Sequence, residues 1–239
     1  MSPPDFAAYA LMALAVPIAA WLWVRPAPYG RHSVAGWGPR LDARLAWVVM
    51  ESPAALVFAA GLVGVTLGPG AWACAAAWLL HYVQRAFIYP FRMRAPRPMP
   101  AAVVMMGATF NGINAWANAQ ALTATPAVDG WLAVGLLIFL AGFVLNRWSD
   151  AVLLRLRDRG PGYHLPVGGA YRWISCPNYL GELVAWAGYA LAARSLPALA
   201  FFVFTAANLV PRARMHHAWY RATFADMPPE RRALVPGVW

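Results

Sequence analysis

Apolar residues in this chain run in blocks of about twenty, each ended by a short polar or Gly- and Pro-bearing stretch. The blocks fall at roughly 5–24, 46–67, 71–91, 101–122, 130–148, 179–194 and 195–212. Ser195, Leu196 and Pro197 supply the turn between the last two. The first block, "PPDFAAYALMALAVPIAAWLWV", has no basic leader and no cleavage site, so it reads as a retained helix rather than a signal peptide. The pattern predicts an all-α, polytopic membrane protein with seven transmembrane helices.

Composition agrees with that pattern. Of 239 residues, 61% are hydrophobic and the mean hydropathy is +0.50, well beyond the usual apolar share of a soluble domain. The net charge of +10 would suit nucleic acid, but its placement points elsewhere. All 19 basic residues are Arg, and 17 of them fall at 25–45, 92–100, 147–178 or after 211. The intervening loops "GPG" and "TATPAVDG" carry none. This alternation is the positive-inside pattern, with the N-terminus outside and the C-terminal tail cytoplasmic. Nucleic-acid binding is therefore not expected. Exclusive Arg and heavy use of Ala fit a GC-rich coding sequence, hence a bacterial source and an inner-membrane location.

Polar side chains inside the apolar blocks are the candidates for chemistry, because charge at membrane depth is costly. Glu51 lies in the second block, and His81, Tyr82 and Arg85 lie in the third. Glu51 is either functional or an interfacial carboxylate paired with an arginine. Asn111, Asn114 and Asn118 recur at helical spacing in the fourth, either as interhelical hydrogen bonds or as a polar site. Asn146, at the end of the fifth, is followed at intervals of four and seven by Asp150 and Arg157, on one helical face. Asn178 and Glu182 share a face at the start of the sixth. In the tail Arg212, His216 and Tyr220 repeat every four residues. That tail is either an amphipathic helix on anionic lipid or part of the polar site. No metal is expected: Cys74 and Cys176 lack ligand spacing, and the adjacent His216 and His217 diverge on a helix. Neither Gly-x-Gly-x-x-Gly after a strand nor a P-loop occurs.

Taken together, "GFVLNRWSDAVLLRLR", "YHLPVGGAYRWISCPNYLGELVAWAGYAL" and "HHAWYRATFADMPPERRALVPGVW" resemble the C-terminal signature of the steroid 5α-reductase family. "RLAWVVMESP" and "LLHYVQRAFIYPF" resemble its N-terminal substrate motifs, so the likeness covers nearly the whole chain. It implies a single reductase domain over 1–239, with 1–122 mainly on the substrate side and 123–239 mainly on the NADPH side. Cytoplasmic loops and the tail would close the cofactor pocket. The implied reaction is NADPH-dependent reduction of the carbon 4–carbon 5 double bond of a 3-keto-Δ4-steroid or another lipophilic enone.

By the same resemblance Asn146, Asp150, Arg157, Asn178, Glu182, Arg212, His216 and Tyr220 line the NADPH pocket. Tyr29, Arg31 and Tyr163 close it, and Arg94 and Arg97 reach phosphate. Arginines suit phosphates, while Asn, Asp and Glu suit hydroxyls and amides, so the residue types agree. Trp47, Met50, Glu51, Tyr82, Arg85 and Asn114 form the substrate side. Tyr82 would donate to the 3-keto oxygen, with Glu51 hydrogen-bonded to it or donating itself as a neutral carboxyl. Rival readings are an enoyl-CoA or other sterol double-bond reductase, an S-adenosylmethionine-dependent membrane methyltransferase, and a non-catalytic lipid binder. The methyltransferase gives Glu51 and Tyr82 no purpose, and the lipid binder has no use for the long polar face.

Overall fold

The computed structural model describes residues 1–32, 34–94, 96–124, 126–160 and 162–239, without the side chain of Arg31. The helices are α1 (Pro3–Val24), α2 (Ala43–Gly61), α3 (Pro69–Val83), α4 (Tyr89–Arg92), α5 (Ala101–Ala121), α6 (Gly130–Leu156), α7 (Pro177–Ala193) and α8 (Leu196–Thr223). A π-helical turn, Gln84–Ile88, joins α3 to α4. A two-residue ribbon pairs β1 (Arg40–Leu41) antiparallel with β2 (Met99–Pro100).

Four described helices are long and apolar enough to cross a membrane: α1, α2, α6 with its extension to Arg159, and α8. The other long helices are shorter or more polar. α3 and α7 have 15 and 17 residues, and α5 carries three asparagines. The sixth and seventh blocks divide as expected. Arg194 turns the chain in the left-handed region at φ 46°, and the Ser195 side chain then caps α8 by accepting from the Ala198 N–H. The last helix does not stop at the end of its apolar block. It runs on through the tail to Thr223, so Arg212, His216 and Tyr220 stand on the same helix as the seventh apolar block.

The helix ends follow local rules. Asp42 caps α2 by accepting from the N–H groups of Arg44 and Leu45, both at 3.0 Å. Asp129 caps α6 by accepting from the Leu132 N–H at 3.0 Å, and it pairs with Arg194 at 2.6 Å. That N–H, and then the Arg194 guanidinium, hold the Asp129 carboxyl below the usual carboxylate range. The pairing ties the start of α6 to the end of α7.

Between those two helices runs a seam of glycines. Gly135 and Gly142 on α6 face Gly188 and Gly181 on α7, two pairs seven residues apart. A Cβ on any of the four would fall against backbone atoms of the other helix. Small residues let membrane helices approach this closely. At the Gly181 end the seam brings Asn146 against Asn178, whose carbonyl accepts from Asn146 Nδ2 at 2.8 Å.

The main core is aromatic. Trp78 stacks on Phe58 at 4.8 Å and packs beside Trp186, Tyr189 and Phe201. Beyond α8 the chain returns to the segment before α7. The Ser175 N–H donates to the Arg232 carbonyl at 2.8 Å, and the Arg232 N–H donates to that of Trp173 at 2.9 Å. Tyr171, fully buried there, donates to the Ser149 carbonyl of α6 at 3.2 Å. Burial, and then the neighbouring Tyr220 phenol, push the Tyr171 hydroxyl well above its ordinary value.

Candidate functional site

The π-helical turn has a visible cause. Pro90 has no N–H with which to continue the α-helical ladder, and the Tyr89 N–H reaches back five residues to the Gln84 carbonyl. The turn carries Arg85 into a cage of two rings, 4.7 Å from the Trp47 centroid and 5.2 Å from that of Tyr89. Trp47 is itself fixed, donating from Nε1 to the Arg85 carbonyl at 3.2 Å. From there the guanidinium lies between two carboxylates. Its Nε is 3.8 Å from Glu51 Oε1, and its Nη1 is 3.6 Å from Asp150 Oδ2. Arg85 thus joins α2 to α6.

Glu51 pairs with an arginine, as the plainer reading of the sequence allowed, and also accepts from Asn111 Nδ2 at 3.3 Å. It makes no hydrogen bond to Tyr82. The Tyr82 ring is buried between Trp78 and Trp186, and its hydroxyl has no hydrogen-bond partner among the described residues. The asparagines of α5 separate by function. Asn111 also donates to the Met50 carbonyl at 2.7 Å, and Asn118 donates to Asn114 Oδ1 at 3.0 Å and to the Pro197 carbonyl of α8 at 3.4 Å. Interhelical bonding therefore accounts for Asn111 and Asn118. Asn114 is fully buried, and its Nδ2 has no partner among the described residues.

The residues expected on the cofactor side fall into three neighbouring groups. In the first, Asp150 accepts from Asn178 Nδ2 at 3.4 Å and pairs with Arg147 at 2.8 Å. Asn146 and Gln84 bond the same Arg147 guanidinium. Glu182, one turn beyond Asn178 and half-buried, makes no hydrogen bond or ion pair among the described residues. In the second, Arg212 lies over Tyr29 at 4.8 Å and Tyr179 at 5.4 Å. Tyr179 Oη is 2.9 Å from His216 Nε2.

The third group lines a cavity of about 270 Å³ at the polar end of α6. Arg94, Arg97, Arg157, Tyr163, Tyr29 and Tyr220 contribute to its wall, as does Trp47 from the substrate side. Tyr163 is stacked under Arg157 at 4.2 Å and Arg97 at 5.7 Å. Arg157 is exposed on the turn after α6 rather than continuing the buried face of Asn146 and Asp150. The side chain of Arg31 lies outside the described residues.

Several participants went unassigned in the sequence. In the sequence Arg147 contributes only to the alternation of basic charge, yet it bridges Asp150 to Gln84. Its position next to Asn146 and three before Asp150 was the available signal. Tyr179, inside "NYLGE", has no charge to attract notice. Among the described residues no group of three or more His, Cys, Asp or Glu is placed to hold a metal ion.

The family profile described as 3-oxo-5-alpha-steroid 4-dehydrogenase matches residues 97–239. A tomato (Solanum lycopersicum) protein, steroid 5-alpha-reductase DET2, is 36% identical over 97% of this chain and 95% of its own length. The cattle (Bos taurus) protein 3-oxo-5-alpha-steroid 4-dehydrogenase 1 is 36% identical over the same shares. The human protein 3-oxo-5-alpha-steroid 4-dehydrogenase 2 is 36% identical over 96% of this chain and 93% of its own.

Proposed function

This chain belongs to the 3-oxo-5-alpha-steroid 4-dehydrogenase family, and we propose that it is a membrane oxidoreductase reducing the carbon 4–carbon 5 double bond of 3-keto-Δ4-steroids with NADPH. The observation that carries the reading is Arg85, shared between Glu51 and Asp150. It links the proposed ketone side to the proposed cofactor side within one ion-paired group.

The donor set suits a dinucleotide. Arg97 and Arg157 at the cavity match its phosphates, and Arg94, paired with Asp158 at 3.3 Å, adds to the same wall. Among the described residues His164 Nε2, also at the cavity wall, is buried without a hydrogen-bond partner, and the Glu182 carboxylate has no ion-pair partner. Asp150, Asn178 and Glu182 offer acceptors and amides for hydroxyl and carboxamide groups. NADPH, when bound, supplies the hydride. The chain's own task is at the other end of the enone: as carbon 5 gains hydride, negative charge grows on the 3-keto oxygen. The Tyr82 hydroxyl donates to that oxygen, and Glu51, anchored by Arg85 and Asn111, shapes the field around it.

The arginine alternation supports seven spans with the N-terminus outside and the C-terminus cytoplasmic, and the exclusive use of Arg with heavy use of Ala supports a bacterial inner membrane. Reporter fusions after Gly68 and Pro126 are expected to report outside, and those after Arg97 and Trp239 inside. Reversal at two sites would overturn the orientation.

The deciding assay is purified protein with testosterone and NADPH or NADH, with product stereochemistry read by mass spectrometry and NMR. A 5α-reduced product is expected; methyl transfer or turnover of enoyl-CoA alone would favour the rival readings. In the same preparation Asp150→Ala, Asn178→Ala and Glu182→Ala are expected to weaken nucleotide binding about ten- to a hundredfold, as loss of a charge-assisted hydrogen bond does. Steroid affinity should change far less. Unchanged nucleotide affinity in all three would remove this assignment.

A further inference from the structure

Next to the cavity described above, and sharing Arg94 and Leu154 with its wall, a groove of about 350 Å³ opens between α4 and the end of α6. Its wall contains Phe91, Arg92 and Arg94 from one side and Leu154, Arg155 and Asp158 from the other. The charges are not balanced. Asp158, the one acidic residue among the described residues of this wall, already pairs with Arg94 at 3.3 Å. That leaves Arg92 and Arg155, both exposed, with no hydrogen bond or ion pair among the described residues. Two unpaired guanidiniums facing one groove call for an anion.

The surface leading to the groove is apolar. On α6, Val144 stands seven and eleven residues before Ala151 and Arg155, and so shares their face; Leu140 precedes it by one turn. Both are exposed, Val144 at 64% and Leu140 at 45%. On the other side Phe91 is 67% exposed, and Phe87 lies four residues earlier, also exposed. The groove therefore has cationic walls where the helices leave the apolar zone and bare hydrocarbon surface below them. This is the amphipathic profile of a phospholipid, not of a soluble anion. Basic pockets between membrane helices at the headgroup level are suited to anionic headgroups.

We propose that this groove is a binding site for one anionic glycerophospholipid. Its phosphodiester lies between Arg92 and Arg155, and its acyl chains follow the Phe87–Phe91 and Leu140–Val144 surfaces. Arg94 contributes less, because Asp158 holds it. The site does not depend on the reductase reading, since neither Arg92 nor Arg155 belongs to the proposed cofactor or ketone sites.

Native mass spectrometry of the full chain tests this, after reconstitution in nanodiscs of equal phosphatidylcholine and phosphatidylglycerol. The parent is expected to retain phosphatidylglycerol selectively. The Arg92→Gln/Arg155→Gln double variant is expected to lose that retention roughly twenty- to thirtyfold, and each single variant about fivefold. Arg172→Gln, which removes an exposed arginine outside the groove, should retain the lipid as the parent does. If the double variant does not survive purification, the single variants carry the same test. Retention unchanged in the arginine variants would overturn the site. So would equal loss in Arg172→Gln, which would mean diffuse attraction to the protein's positive charge. Displacement of the lipid by millimolar inorganic phosphate or by NADPH would also overturn it, marking the groove as a site for free phosphate groups.

Discussion

Tyr82→Phe is expected to slow single-turnover hydride transfer by about 10²–10³, the usual loss for one oxyanion donor, while the protein stays folded and binds nucleotide normally. The surroundings of the ring explain why the change should be so selective. Tyr82 packs 5.0 Å from Trp78 and 5.6 Å from Trp186, contacts that phenylalanine keeps. Its hydroxyl makes no hydrogen bond among the described residues, so removing it leaves no buried protein partner stranded. Glu51 differs. Glu51→Ala would take one carboxylate from Arg85, whose other counter-ion, Asp150, is already shared with Arg147. An under-paired guanidinium in a largely buried site is destabilising in itself. Glu51→Gln keeps a side chain that can hydrogen-bond Asn111 and should be the milder of the two. Single-turnover measurement is required, because steady-state rates can report product release instead. If Tyr82→Phe and Glu51→Ala both transfer hydride at the parental rate, the ketone site is wrong.

The lines along which the sequence was readable follow from what hydropathy measures. It registers solvent, so helices facing lipid stand out, and α1, α2, α6 and α8 pass on length and apolarity. It does not register a helix that leaves the membrane and continues through polar residues. α8 accordingly runs past the end of its apolar block to Thr223, and the tail residues Arg212, His216 and Tyr220 belong to it. Helical spacing placed Asn146 with Asp150 and Asn178 with Glu182 on common faces. It could not show that Asn146 and Asn178 meet, because that contact depends on the α6–α7 seam. Hydropathy marks Arg85 as a costly charge at membrane depth, but its two carboxylate partners depend on the π-helical turn before Pro90. Of the arrangements the sequence left open for Glu51, the structure holds the pairing with an arginine, Arg85, together with a hydrogen bond from Asn111. Sequence pattern marks the polar residues; tertiary packing decides who their partners are.

That seam carries the other large effect. Gly142→Leu is expected to prevent stable folding, and Gly142→Ala to destabilise by about 1–3 kcal/mol, the usual cost of overpacking a tight core. The reason is the kind of atom in the way. A Cβ on Gly142 would meet the Ala185 amide nitrogen and the Gly181 carbonyl, parts of the α7 backbone that cannot rotate aside as a side chain can. The two helices would have to separate. Separation would act on the site as well as on stability, because Asn146 and Asn178 face each other one turn from Gly142 and Gly181. Gly142→Ala should therefore lower nucleotide affinity although it contacts no nucleotide. Gly130→Ala is the control, at the start of the same helix with open space where its Cβ would lie, and it should stay within about 0.5 kcal/mol of the parent. Thermal unfolding of both variants in one detergent, beside nucleotide titration, makes the comparison. A Gly142→Ala protein as stable as Gly130→Ala, with parental nucleotide affinity, would show that α6 and α7 tolerate a wider spacing. The seam would then not be what sets the polar face.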